Sequence, residues 1–104
     1  MPQNRIEVLR NMVQQDPSNA FARYGLAMEY VNTGALADAM HEFRELLHTD
    51  PNYAAAYFHG AQTLEKMGDL ETARDFYRRG IEVTTRTGDA HTRSELEGAL
   101  ELLG

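Results

Sequence analysis

The stretch AFARYGLAMEYVNTGALADAMHEFRELLHTDPNY, residues 20–53, is followed without a gap by AAAYFHGAQTLEKMGDLETARDFYRRGIEVTTRT, residues 54–87. Laid one on the other, they match Ala27 with Ala61, Gly34 with Gly68, Leu36 with Leu70, Ala39 with Ala73, Phe43 with Tyr77 and Leu47 with Ile81. Pro17 and Pro51 keep the same spacing, so the register runs through two units without an insertion. Self-similarity at a fixed period of this length marks a repeat architecture, in which each unit buries its apolar face against its neighbours.

Each unit reads as two helices. Phe21, Tyr24, Leu26, Ala27, Met28, Tyr30 and Val31 cover a wide helical surface and define helix A. It ends at Asn32-Thr33-Gly34, where glycine can take the left-handed conformation that closes a helix. Leu36, Ala39, Met40, Phe43, Leu46 and Leu47 recur at three- and four-residue steps and define helix B, which leaves Asp38, Glu42, Arg44 and Glu45 to water. Asp50-Pro51 stops it, because a proline pushes the preceding residue out of the helical region. The second unit predicts helix A from Ala54 to Lys66, a turn at Met67-Gly68-Asp69, and helix B from Leu70 to about Thr84. Its exit is softer, because Thr85 stands where the first unit has Pro51, and a polar, β-branched run continues to Gly88-Asp89. Upstream, Ile6, Leu9, Met12 and Val13 share one face of a helix from Arg5 to Gln15, like a helix B without its helix A. Downstream, Thr92-x-x-Glu95 has capping-box form ahead of Leu96, Ala99, Leu100 and Leu103, predicting a closing helix of about three turns.

The 104 residues, 42% hydrophobic and 25% charged, fit one soluble globular domain with a continuous core, spanning 1–104. Sixteen acidic against ten basic side chains give a net charge of −6, which argues against nucleic acid as a partner. The absence of cysteine excludes disulfides, thiolate zinc sites and cysteine nucleophiles. The start Met1-Pro2-Gln3-Asn4-Arg5, followed by charges at Glu7 and Arg10, has no apolar leader or spanning segment, so a cytoplasmic, non-membrane protein is expected.

In spacing and residue types the chain resembles the tetratricopeptide repeat, most closely over residues 20–87. The family's small residue in helix A falls on Ala27 and Ala61, and its aromatic late in helix A on Tyr30, with Leu64 in the second unit. The small residue of helix B falls on Ala39 and Ala73, and the following aromatic on Phe43 and Tyr77. Two departures stand out. Arg23 takes the place of a large aromatic that Tyr57 keeps, and Leu46 takes the place of a small residue that Gly80 keeps. The resemblance implies an all-α fold: an antiparallel helix-pair solenoid, a right-handed superhelix of about six helices with capping helices at both ends. Its parts are a half-repeat helix at 4–16, repeats at 20–53 and 54–87, and a cap at 92–103, where polar outer faces keep the stack soluble.

By the same resemblance the A helices form a concave wall that receives peptides from other proteins. Carried over by position, its partner-binding residues are Phe21, Tyr24, Met28, Val31 and Asn32 in the first unit and Phe58, His59, Gln62 and Lys66 in the second, with Ala55 and Glu65 beside them. The lysine, arginine and asparagine clamp that some members use for a chaperone's terminal carboxylate is missing at these places. The expected function is therefore binding of an apolar peptide or helix of a partner protein, with Gln62 and Asn32 available to bond its backbone. The alternative is a structural homodimer joined through the groove or the end of the solenoid.

No enzymatic activity, cofactor or metal is expected. His41, Glu45 and His48 share a helix face, but Glu45 stands where the second histidine of the zinc-protease motif would be, and solvated surface is the simpler reading. Arg74, Arg78 and Arg79 invite a phosphate, yet Asp75 lies four residues before Arg79 and Glu82 four after Arg78, as in surface ion pairs. Ser18 and Ser94 are read as helix caps rather than nucleophiles. Gly25, Gly60 and Gly80 inside helices point to close helix contacts.

Overall fold

The computed structural model describes residues 4–104. Met1, Pro2 and Gln3, part of the stretch read as lacking a leader, lie outside the described residues. Among the described residues there are six α-helices and no strand: α1 Arg5–Gln15, α2 Ala20–Thr33, α3 Leu36–Thr49, α4 Ala54–Lys66, α5 Leu70–Thr87 and α6 Ala90–Leu103. The chain divides into two units, Met1–Asp50 and Pro51–Gly104. None of the described helices is long and apolar enough to cross a membrane.

In the first unit α1 packs on α2, and α2 on α3. Ala22, Ala27 and Ala39 are fully buried, and their small side chains let helix backbones approach while Leu26, Met40, Phe43 and Leu46 fill the space around them. Asn4 and Asn19 cap α1 and α2 by accepting from the backbone N–H of Ile6 at 2.8 Å and Ala22 at 3.0 Å. Ser18 is not a cap: its hydroxyl donates to Asp16 Oδ1 at 2.7 Å, and Asn19 holds the cap position. Gly34, at φ 82°, closes α2, with its N–H bonded to Val31 O and that of Ala35 to Tyr30 O, as in a Schellman motif.

The Arg23 departure has a structural answer. Its guanidinium reaches Glu42 Oε1 at 2.7 Å, across from α2 to α3, and Nη2 donates to Pro17 O at 3.3 Å. Tyr57, at the matching place in the second unit, donates its hydroxyl to Pro51 O at 2.8 Å. Both side chains therefore tie helix A to the proline turn six residues earlier by a hydrogen bond to its carbonyl, one from a guanidinium and one from a phenol.

In the second unit α4 packs on α5, α5 on α6, and α6 also touches α4. Gly68, at φ 82°, ends α4, where Asp69 N–H bonds Leu64 O at 2.9 Å. Asp69 then caps α5 through Thr72 N–H at 3.2 Å. Helix α5 runs three residues past the expected end at Thr84. Thr84 and Thr85 are held within it by hydroxyl bonds to Gly80 O and Ile81 O, at 2.8 and 2.7 Å, and Gly88 at φ 78° stops it. Asp89 accepts from Thr92 N–H at 3.1 Å, so α6 begins two residues before Thr92 and the expected capping box is displaced. Ser94 lies inside α6, not at its cap. The close contact read from Gly80 is present: a Cβ there would lie 2.8 Å from Tyr57 Cβ and 3.0 Å from Leu96 Cδ1. The Asp75–Arg79 pair spans 3.7 Å, and the Arg79 guanidinium also lies 5.6 Å from the Tyr57 ring centroid and 5.5 Å from that of Phe76.

Candidate functional site

Helix A carries the candidate residues in each unit, and each unit presents its own surface. On α2, Phe21, Tyr24, Met28 and Val31 follow one another at three- and four-residue steps and so share a face. Phe21 is 77% exposed at the N-terminal end of that face. Tyr24, Met28 and Val31 are half-buried and Asn32 is exposed. The Tyr24 ring leans on buried Phe43 of α3, centroids 6.4 Å apart at 60°, so its inner edge belongs to the core and its outer edge to the surface. This is a partly supported apolar stripe rather than a cavity.

The second unit builds a more enclosed site. Phe58 is half-buried on α4, edge-on to Tyr77 at 6.4 Å and to His59 at 5.2 Å. Together with Gln62 it forms one wall of a cleft of about 590 Å³. The other wall is α6, which contributes Ser94, Glu95, Gly98, Ala99, Glu101 and Leu102. Pockets that take organic ligands or side chains span about 300–1,000 Å³, so this cleft has room for several apolar side chains. Leu102, 92% exposed, forms an apolar lip, and exposed Gln62 offers both a donor and an acceptor. Among the expected residues, then, Phe58 and Gln62 come together in the cleft. His59 flanks it through its contact with Phe58, whereas Lys66 is exposed in the last turn of α4 and is not part of its lining.

Charge around the cleft is one-sided. Glu95 and Glu101 lie in the lining, and no lysine or arginine does. Burial holds the His59 imidazole below its ordinary pKa, and the negative charge of Glu95 works against that shift. Behind the wall the Tyr77 hydroxyl donates to Glu65 Oε2, and burial, reinforced by this bond, raises the hydroxyl well above the usual phenol range. The phenol is therefore neutral at any physiological pH, and Glu65 is held toward the core rather than offered to a ligand.

The α6 wall was not among the expected site residues, although its signal is present in the sequence. Glu95, Ala99 and Leu102 recur at four- and three-residue steps on a stripe adjoining Leu96, Leu100 and Leu103. Leu96 is fully buried and Leu100 and Leu103 are half-buried, while the stripe of Glu95, Ala99 and Leu102 opens on the cleft.

A family model described as tetratricopeptide repeat matches residues 6–57, and another of the same description matches residues 42–75. A TPR repeat-containing protein of Pseudomonas aeruginosa is 28% identical over 91 residues, covering 88% of this chain and 87% of that protein. The solution structure of a tetratricopeptide repeat domain protein from Salinibacter ruber is similar at a TM-score of 0.80 and 35% identity, over 85% of this chain and 89% of that one. The TPR2B domain of yeast Sti1, solved as a complex with pHsp70, has the same fold at a TM-score of 0.87 and 13% identity, over 94% of this chain and 78% of that one.

Proposed function

We propose, because the chain belongs to the tetratricopeptide repeat family, that it is a protein-interaction module holding an apolar segment of another protein. The observation that carries this reading is the cleft between α4 and α6, where half-buried Phe58 and exposed Leu102 leave apolar surface facing open space. Contiguous exposed apolar surface rimmed by polar groups is a common mark of interaction sites. The Sti1 domain of the same fold is solved with a protein ligand, which supports a protein as the class of partner. The α2 stripe, from Phe21 to Val31, is a second surface suited to apolar contact.

The experiment is crosslinking in cells from a photo-reactive phenylalanine placed at Gln62, with Glu82, exposed on α5 and outside the cleft lining, as the control position. A protein adduct formed from position 62 and not from 82 supports the proposal; adducts of equal yield from both, or from neither, overturn it. The exposure of Phe21 and Leu102 keeps self-association as a second reading, and its signature in the same experiment is an adduct of twice the chain mass.

A further inference from the structure

We infer that the α4–α6 cleft selects an amphipathic helical segment whose leucine-type side chains are flanked by lysine or arginine. The inference rests on the interaction reading above and specifies the chemistry of its ligand. Three features of the second unit converge on it. The floor is apolar, from Phe58 and Ala99, with Leu102 as a lip. The rim is acidic, from Glu95 and Glu101, with no basic side chain in the lining to neutralise it. Arg93 Nε lies 3.5 Å from Glu97, Arg74 Nε donates to Gly104 O at 2.8 Å at the end of α6, and Lys66, one turn after Gln62 on α4, is exposed outside the lining. Glu95 does lie 3.6 Å from His91, which is exposed outside the lining, and His59 stands beside Phe58.

The shape argues for a helix as the occupant. Gly98 has no heavy atom within 4 Å of where its Cβ would point, and Ala99 follows it, so the α6 wall is flat enough for a backbone to approach closely. Two helices separated by a trough lined with small residues accept the ridge of a third, as in other helix-in-groove complexes. An acidic ligand would place its carboxylates against Glu95 and Glu101, where like charges repel. A basic ligand gains two attractions that strengthen as the apolar floor excludes water from them.

Two labelled 14-residue peptides test this. Both carry leucines at helical spacing, with lysines flanking them in one and glutamates in the other. Binding to the full chain is followed by fluorescence anisotropy and by amide shifts in NMR. The lysine peptide is expected to shift the amides of Phe58, Gln62, Gly98 and Leu102, and to bind roughly fivefold more weakly to Glu95→Gln/Glu101→Gln. The Glu71→Gln/Glu82→Gln variant removes the same charge from exposed sites on α5, and its affinity is expected to stay close to that of the native chain. Equal binding of both peptides, or equal loss in the two double variants, overturns the charge selection and leaves the interaction reading standing. Shifts confined to α2, or none with either peptide, overturn the cleft as the docking site; the interaction reading is then decided by the crosslinking at position 62.

Discussion

Gly80 and Gly98 are both helical glycines, yet their surroundings are opposite. A Cβ at Gly80 would meet Tyr57 Cβ at 2.8 Å and both Leu96 methyls at 3.0–3.1 Å, whereas one at Gly98 would meet nothing within 4 Å. Alanine is intrinsically better than glycine in a helix by about 1 kcal/mol, while overpacking a tight core costs about 1–3 kcal/mol. At Gly80 the overpacking outweighs the propensity, because Tyr57 Cβ is anchored to its backbone and cannot rotate away. The expected outcome in urea denaturation is a lower midpoint for Gly80→Ala and a higher one for Gly98→Ala; equal midpoints would refute the packing argument. The sequence showed that Gly80 needed close contact, but not what it touches, since Leu96 is sixteen positions away on another helix. Arg23 was opaque for a similar reason. Its role appears only when Glu42, on α3, is seen to be its partner, with both side chains 12% exposed.

Among the elements, α6 shows where local signals compete. Asp89 and Thr92 can each cap a helix, and the Thr92-x-x-Glu95 pattern favours the later start. The geometry before it decides: Gly88 closes α5 at φ 78°, the Asp89 N–H bonds back to Thr84 O, and the next helix can begin at once. Helices α1, α2, α3 and α4 were legible because a proline turn or a left-handed glycine marks their ends. The end of α5 was not, since its threonines satisfy their hydroxyls inside the helix. The true cap makes a pH prediction. Hydrogen bonding to Thr92, first through its side chain and then its backbone, holds the Asp89 carboxyl below the usual carboxylate range. A carboxyl depressed in the fold contributes stability that is fully present above its unfolded value of about 3.9 and is lost as pH falls through the lower folded value. The protection factors of amides in the first turn of α6, which divide out the intrinsic slowing of exchange in acid, are therefore expected to fall on acidification below pH ~4, and Asp89→Asn to flatten that fall. A profile unchanged by the substitution would mean that this cap does not hold the helix end.

For the molecule as a whole, the period that links Gly34 to Gly68 and Phe43 to Tyr77 was sufficient for the repeat family, because spacing alone records which faces must be buried. The cleft was less legible. Whether α6 turns its Leu96 stripe or its Glu95–Ala99–Leu102 stripe inward depends on how Leu96 docks beside Gly80 and Tyr57, a contact between helices that no local pattern encodes. What remains open on the surface bears on oligomeric state. Leu102 and Phe21 are exposed enough to join copies, but the net charge of −6 opposes association of identical chains at low ionic strength. A stable dimer also buries about 1,200–2,000 Å² in total, an area that Phe21 or Leu102 alone does not supply. Sedimentation equilibrium across a concentration series is therefore expected to return the monomer mass of 11.7 kDa throughout, with Leu102→Glu indistinguishable from the native chain. A dimer that Leu102→Glu dissociates, with the helical circular dichroism signal unchanged, would instead place a second copy at the α6 lip and make self-assembly the function.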